Sequence, residues 1–188
     1  ARTVNSHLDV IRSFFKWAVK KYHLAENPTR GIKHRLEDPP APRFLTESEF
    51  KKICEHAQGD TLDWILFIAN TGLRVSEFIS LTWSAANTNQ TAITVLGKGR
   101  KYRTVPLNET CRRILENQQA HQDTSTHIFL SKNNEPLKRR NLNTRFRPIA
   151  KCAGIDDFGP HALRHYFATQ LLIKGLSIQL VSKLLGHR

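Results

Sequence analysis

Apolar residues recur every three or four positions along residues 6–22, where Leu8, Ile11, Phe15, Ala18 and Tyr22 share one face of a helix. Arg12, Lys16 and Lys20 fall away from that face. The pattern breaks in "ENPTRGIK", where Pro28 and Gly31 punctuate the chain. The stretch "KHRLEDPPAPR" (33–43) holds three prolines and mixed charge, the composition of an interdomain linker. These boundaries predict a helical unit at 1–33, a linker at 34–43 and a second unit at 44–188.

The second unit alternates helical and extended signals. Thr46 followed by Glu49 is a capping-box pattern, so a helix is expected to start there. "DTLDWILFIAN" (60–70) reads as a buried helix, and "TGLRVSEFISLTW" (71–83) as a glycine turn followed by a short helix. The β-branched runs "AITVL" and "YRTVPL" flank a Gly-Lys-Gly turn and predict a β-hairpin. "HIFLS" (127–131) predicts a further short strand. The remainder reads as helix, with Gly154, Gly175 and Gly186 as stops. The expected fold class is α+β, mainly helical, with a small antiparallel sheet.

Charge changes the picture most. The 188 residues carry 29 Lys+Arg against 16 Asp+Glu, a net charge of +13, which points to a polyanionic partner. The excess is localised. "KRRNLNTRFRPIAK" (138–151) has six basic residues and no acid, and "LGKGRKYRTVPL" (96–107) has four and none. Arg100, Lys101, Arg103, Lys138, Arg139, Arg140, Arg145 and Arg147 are therefore candidate DNA contacts, each with a solvated surface charge as the plain alternative. The longest apolar run, "WILFIA" (64–69), is far shorter than the roughly 20 residues of a membrane span. Cys54, Cys111 and Cys152 are odd in number and widely spaced, so neither a disulfide framework nor a zinc ribbon is expected. With no leader visible, a reducing cytoplasm is the expected location, and the opening "ARTVNSHLDV" reads as the middle of a longer protein.

The closing segment, "HALRHYFATQLLIKGLSIQLVSKLLGHR", concentrates candidate chemistry. His161, Arg164 and His165 share a helical side and no carboxylate balances them. The H-x-x-x-H spacing suits zinc, but no third ligand is evident, and a magnesium site would want clustered carboxylates. No metal and no cofactor are expected. Cationic donors without acids instead describe an anion site, since Arg grips two phosphate oxygens at once. The plain alternative is that Arg164 and His165 only brace helices. Arg74, with Glu77 at i+3 to hold its guanidinium, adds a second candidate, and Lys98 at the hairpin tip a third. A surface ion pair and a solvated turn lysine are their bland counterparts.

In this order, "TGLRVSEFISLTW", "GKGRKYRTVPL", "HALRHYFATQLL" and "LLGH" resemble the tyrosine recombinases, or phage integrases. The four motifs span residues 71–188, and the first helix with "NPTRGIK" resembles the end of that family's DNA-embracing core-binding domain. The resemblance implies that Arg74 and Arg164 clamp the non-bridging oxygens of the scissile phosphate. Lys98 would protonate the departing 5′ oxygen, His161 would act as general acid/base, and His187 would hydrogen-bond the phosphate. Glu77 would support Arg74 and His165 would be structural. The chemistry would be site-specific DNA cleavage and rejoining through a 3′-phosphotyrosyl bond, on double-stranded DNA, with the whole protein a tetramer on DNA. The isolated 188 residues leave a monomer open.

One departure stands out. The family's nucleophilic tyrosine lies roughly nine residues beyond the Gly-His, whereas this sequence ends at Arg188. Tyr166 follows Arg164 by two residues and would point about 200° away on a helix. Tyr22 and Tyr102 read as packing residues. No nucleophile is assigned, and these residues alone are expected to bind DNA without cleaving it. Competing expectations are a non-catalytic DNA-binding or regulatory module on the same fold and a type IB topoisomerase-like enzyme. An RNA-binding or structural basic protein would leave the five site residues unexplained.

Overall fold

Helix α1 (Arg2–Tyr22) is the first element of a computed structural model that describes residues 2–36, 44–87, 89–97, 101–120 and 125–186. The chain divides into two compact units, Ala1–Arg43 and Phe44–Arg188.

In the first unit, the segment after α1 folds back along it. The Asn5 amide donates to the Arg35 carbonyl at 2.9 Å and accepts from the Arg35 N–H at 2.9 Å. The Arg12 guanidinium donates to the Ile32 carbonyl and meets the His34 Nε2 at 3.1 Å, while His34 also contacts Asp9 at 2.9 Å. His34 and Arg35, expected in the linker, are thus bound to α1. Arg12, expected to fall away from the apolar face, is tied to the return segment. The covered side of α1 shifts accordingly. Ala18 is buried and Leu8 and Phe15 are half-buried, but Ile11 and Tyr22 of the expected apolar face are exposed.

The second unit contains α2 (Glu47–His56), α3 (Asp60–Thr71), α4 (Val75–Ile79), a single 3₁₀ turn at Trp83–Ala85, β1 (Ala92–Leu96), β2 (Tyr102–Pro106), α5 (Glu109–Ala120), α6 (Arg139–Ala153), α7 (Pro160–Ile173) and α8 (Ile178–Leu185). Thr46 caps α2 reciprocally, accepting from the Glu49 N–H at 3.2 Å while Glu49 accepts from the Thr46 N–H at 2.9 Å. Such a cap satisfies two donors that the first helical turn leaves without partners. α3 is buried almost all round and packs against α2, α5, α6 and α7, so it is the axis of the core. Its Phe67 packs against Phe78 and Phe129, with ring centroids 4.4–6.1 Å apart among the three.

The hairpin forms as expected, antiparallel, with Val95 opposite Arg103 and Leu96 opposite Tyr102. The strand expected at "HIFLS" does not form. His127 and Leu130 make single bridges to Thr82 and Pro136, and Ile128 and Phe129 are both buried as consecutive residues. Without a neighbouring strand among the described residues to pair with along its length, the segment is held by these two bridges and by its buried side chains rather than by a ladder. Gly154 and Gly186 end α6 and α8 in the left-handed conformation, and Gly175 follows the Lys174 cap of α7.

Candidate active site

Gly72 closes α3 with φ +61°, which turns the chain sharply toward α4. A Cβ here would lie 2.3 Å from Phe167 Cδ1, so only glycine allows α7 to approach this closely. Two residues later Arg74 occupies the N-cap of α4 in extended backbone. Its N–H donates to Glu77 Oε2 at 2.7 Å and its Nη1 to Glu77 Oε1 at 2.9 Å. The i+3 spacing read from the sequence therefore produces both a helix cap and a guanidinium anchor.

Arg164 reaches the same place from the second turn of α7. Its side chain is 6% exposed, and Nη1 and Nη2 donate to the carbonyls of Gly72 at 2.5 Å and Leu185 at 2.6 Å. Burial lowers its pKa to about 10, helped by the nearby positive charge of Arg74, yet at neutral pH it remains a cation. Glu77 lies 4.0 Å from it. Burial pushes the Glu77 carboxyl up, but hydrogen bonds from Arg103 and from Arg74 outweigh that, and its pKa ends below the ordinary value.

The C-terminus of α8 supplies the remaining counter-charge. The last carbonyls of a helix have no intrahelical partner and carry its negative dipole end. Here they accept from three arginines: Leu184 from Arg103 Nε at 2.9 Å, Leu185 from Arg164, and Gly186 from Arg74 Nη2 at 3.1 Å. Three guanidinia thus share one buried carboxylate and one helix end, which leaves excess positive charge facing outward.

That charge faces a cleft of about 530 Å³. Its polar lining is Arg74, Ser76, Arg139, Asn143, His161 and Arg164, with no carboxylate among them. His161 stands at the mouth on the first turn of α7, its ring 4.5 Å edge-on from His165. Among the described residues no group of three or more His, Cys, Asp or Glu side chains could hold a metal ion. No described helix is long and apolar enough to cross a membrane. The arrangement suits an anion with several oxygens, gripped by fixed cationic donors.

Arg74, His161 and Arg164 are brought together, with Glu77 behind them and His165 beside His161. Lys98, Arg100 and His187 lie outside the described residues. Lys101 is exposed beside the hairpin turn. Arg103 differs from the outward DNA contact expected of it: its side chain is 10% exposed and both terminal nitrogens bind Glu77, at 2.6 and 2.8 Å. The period-two alternation of β2 carries the signal, since Arg103 shares a face with buried Val105. On α6, Lys138, Arg139, Arg140 and Arg147 are exposed, Arg145 is half-buried, and Arg139 reaches the cleft. Asn143, one turn beyond Arg139 on the same side, was not anticipated; its i+4 position was the available clue.

None of the three tyrosines lines the cleft. Tyr166 is buried, stacked on Phe50 at 4.4 Å with its hydroxyl pKa raised by burial, and faces another cavity. Tyr102 is exposed on β2, and Tyr22 belongs to the first unit.

The chain is similar to known proteins along nearly its whole length. The tyrosine recombinase XerC of Staphylococcus epidermidis is 31% identical over 198 residues, covering 98% of this chain and 67% of the relative. The Tn1549 transposon integrase, solved in complex with circular intermediate DNA, superposes with a TM-score of 0.80 at 22% identity, over 99% of this chain and 71% of that one. A lambda integrase tetramer bound to a Holliday junction superposes with a TM-score of 0.79 at 21% identity, over 100% of this chain and 59% of that one. Residues 43–188 match the phage integrase family, and the chain belongs to it.

Proposed function

We propose that this chain carries the DNA-binding and phosphate-activating part of a tyrosine-type site-specific recombinase. The observation that carries the proposal is the convergence of Arg74 and Arg164 on one cleft, with their counter-charges behind them. Attack on a phosphodiester builds negative charge on the non-bridging oxygens, and cations already aimed there lower the barrier without reorganising.

The roles follow from this placement. Arg74 and Arg164 hold the two non-bridging oxygens. A tyrosine hydroxyl attacks phosphorus and gives its proton to His161, while the 5′ oxygen leaves with a proton from Lys98. His187 donates to a phosphate oxygen, and His165 supports His161 from its own helix. The product is a 3′-phosphotyrosyl bond and a free 5′ hydroxyl, and the reverse attack by that hydroxyl rejoins the strand without an external energy source. Because none of Tyr22, Tyr102 and Tyr166 faces the cleft, the attacking tyrosine is supplied from outside residues 1–188.

The substrate is double-stranded DNA, bound through the exposed basic residues of α6 and the hairpin, in the cytoplasm. The first unit is the end of a core-binding domain, and the working assembly is a tetramer. A nicked duplex that traps covalent adducts tests the reading. In the protein with its tyrosine segment, Arg74→Ala should lower adduct formation by roughly 10²–10³-fold, the loss typical of one oxyanion donor. Residues 1–188 alone should bind the duplex and form no adduct. Undiminished adduct in Arg74→Ala would contradict the cleft assignment, and adduct from residues 1–188 would contradict the external tyrosine.

A further inference from the structure

Arg103 spends every nitrogen inside the protein. Nη1 and Nη2 donate to the two oxygens of Glu77 at 2.6 and 2.8 Å, and Nε donates to the Leu184 carbonyl at 2.9 Å. Glu77 accepts two further bonds from Arg74, so each of its oxygens takes two. A carboxylate offers about four acceptor positions, and here all are filled. Arg164 stands just beyond, its Nη1 4.0 Å from Oε2, and donates to the carbonyls of Gly72 and Leu185 instead.

We propose that Arg103 is a positioning residue for the cleft: by saturating Glu77 it keeps that carboxylate from drawing Arg164 inward, and it locks β2 and the end of α8 to the same anchor. The inference rests on the phosphate-cleft reading and deepens it. Without Arg103, Oε2 has room for a donor, and Arg164, 4.0 Å away, is within reach of it. A buried Arg–carboxylate pair would form at the expense of the guanidinium presented to the cleft. The two elements that Arg103 joins are those whose sequences run into Lys98 and His187. Gly186 completes the fit, because a Cβ there would lie 3.1 Å from Arg103 Cδ.

This role differs from the direct DNA contact that the basic hairpin sequence suggested, and two measurements separate them. The first is titration of residues 1–188 with inorganic phosphate, followed by NMR at the Arg74 and Arg164 side chains. The second is the salt dependence of duplex binding. Arg103→Gln should weaken phosphate binding by about tenfold, the equivalent of one charge-assisted hydrogen bond. Arg103→Lys should weaken it comparably, since an ammonium keeps the charge but cannot fill both oxygens and reach Leu184. The salt slope should stay unchanged in both. Wild-type phosphate affinity in Arg103→Lys would overturn the proposal, as charge alone would then suffice. So would a slope reduced by about 0.9, the mark of a lost DNA phosphate contact. Should Arg103→Gln not fold, Arg103→Lys decides alone. If the wild-type chain shows no response at Arg74 and Arg164, the phosphate cleft itself is refuted and Arg103 has nothing to position.

Discussion

Glu77 shows how one residue sets the charge balance of the cleft. Its side chain is 5% exposed and holds Arg74 and Arg103, with Arg164 at the edge of its reach. Removing one partner of a buried ion pair typically costs about 3–5 kcal/mol, because the remaining charge is stranded. Glu77→Gln should therefore lower unfolding stability by an amount on that order, measured by urea denaturation. The pH dependence has a definite sign. A carboxyl held below its unfolded value of 4.5 stabilises the fold fully above that pH and loses the contribution as pH falls through the lower, folded value. The acid arm of the stability profile should thus flatten in Glu77→Gln. The Arg74–Glu77 pairing was legible because both lie on one short helical turn. Arg103 was legible only in part: alternation sets it on the face of Val105, but which face of a two-stranded ribbon turns inward is decided by what covers it. Here the covering groups are Glu77 and the end of α8, distant in sequence by 26 and 81 residues.

At the scale of elements, α3, α7 and α8 meet at one turn. Gly72 carries the αL turn, the carbonyl that holds Arg164, and the absence of a Cβ that lets Phe167 close in. Gly72→Ala should cost about 1–2 kcal/mol from the left-handed backbone and about 1–3 kcal/mol more from overpacking. A denaturation midpoint within error of wild type would show that α7 approaches less closely than described. Local signals predicted the helices well where the relevant forces are local, as at Thr46 and Glu49. They failed where long-range packing decides. "HIFLS" has β-branched and aromatic composition, yet among the described residues it finds no strand to pair with beyond single bridges at His127 and Leu130, and Ile128 and Phe129 are held by burial in the core. In α1, periodicity identified the helix but misplaced its covered side, because Asn5 and Arg12 are satisfied by the returning backbone.

Across the whole molecule, a net charge of +13 includes basic side chains in two different settings. Arg74, Arg103 and Arg164 are turned inward or held at the cleft, whereas Arg140 and Arg147 are exposed on α6 and Lys138 at its N-cap. Composition alone could not separate these classes, because both count equally toward the net charge. Each phosphate contact contributes about 0.9 to the logarithmic salt slope of duplex binding. The triple variant Lys138→Gln, Arg140→Gln and Arg147→Gln should therefore reduce the slope by as much as ~2.7. An unchanged slope would remove α6 from the DNA surface. Whether the cleft holds a phosphate can be seen in a crystal of residues 1–188 soaked in inorganic phosphate. One phosphate should bridge Arg74 and Arg164 at about 3 Å from each, with His161 alongside. A phosphate bound elsewhere, with this cleft empty at saturating concentration, would contradict it.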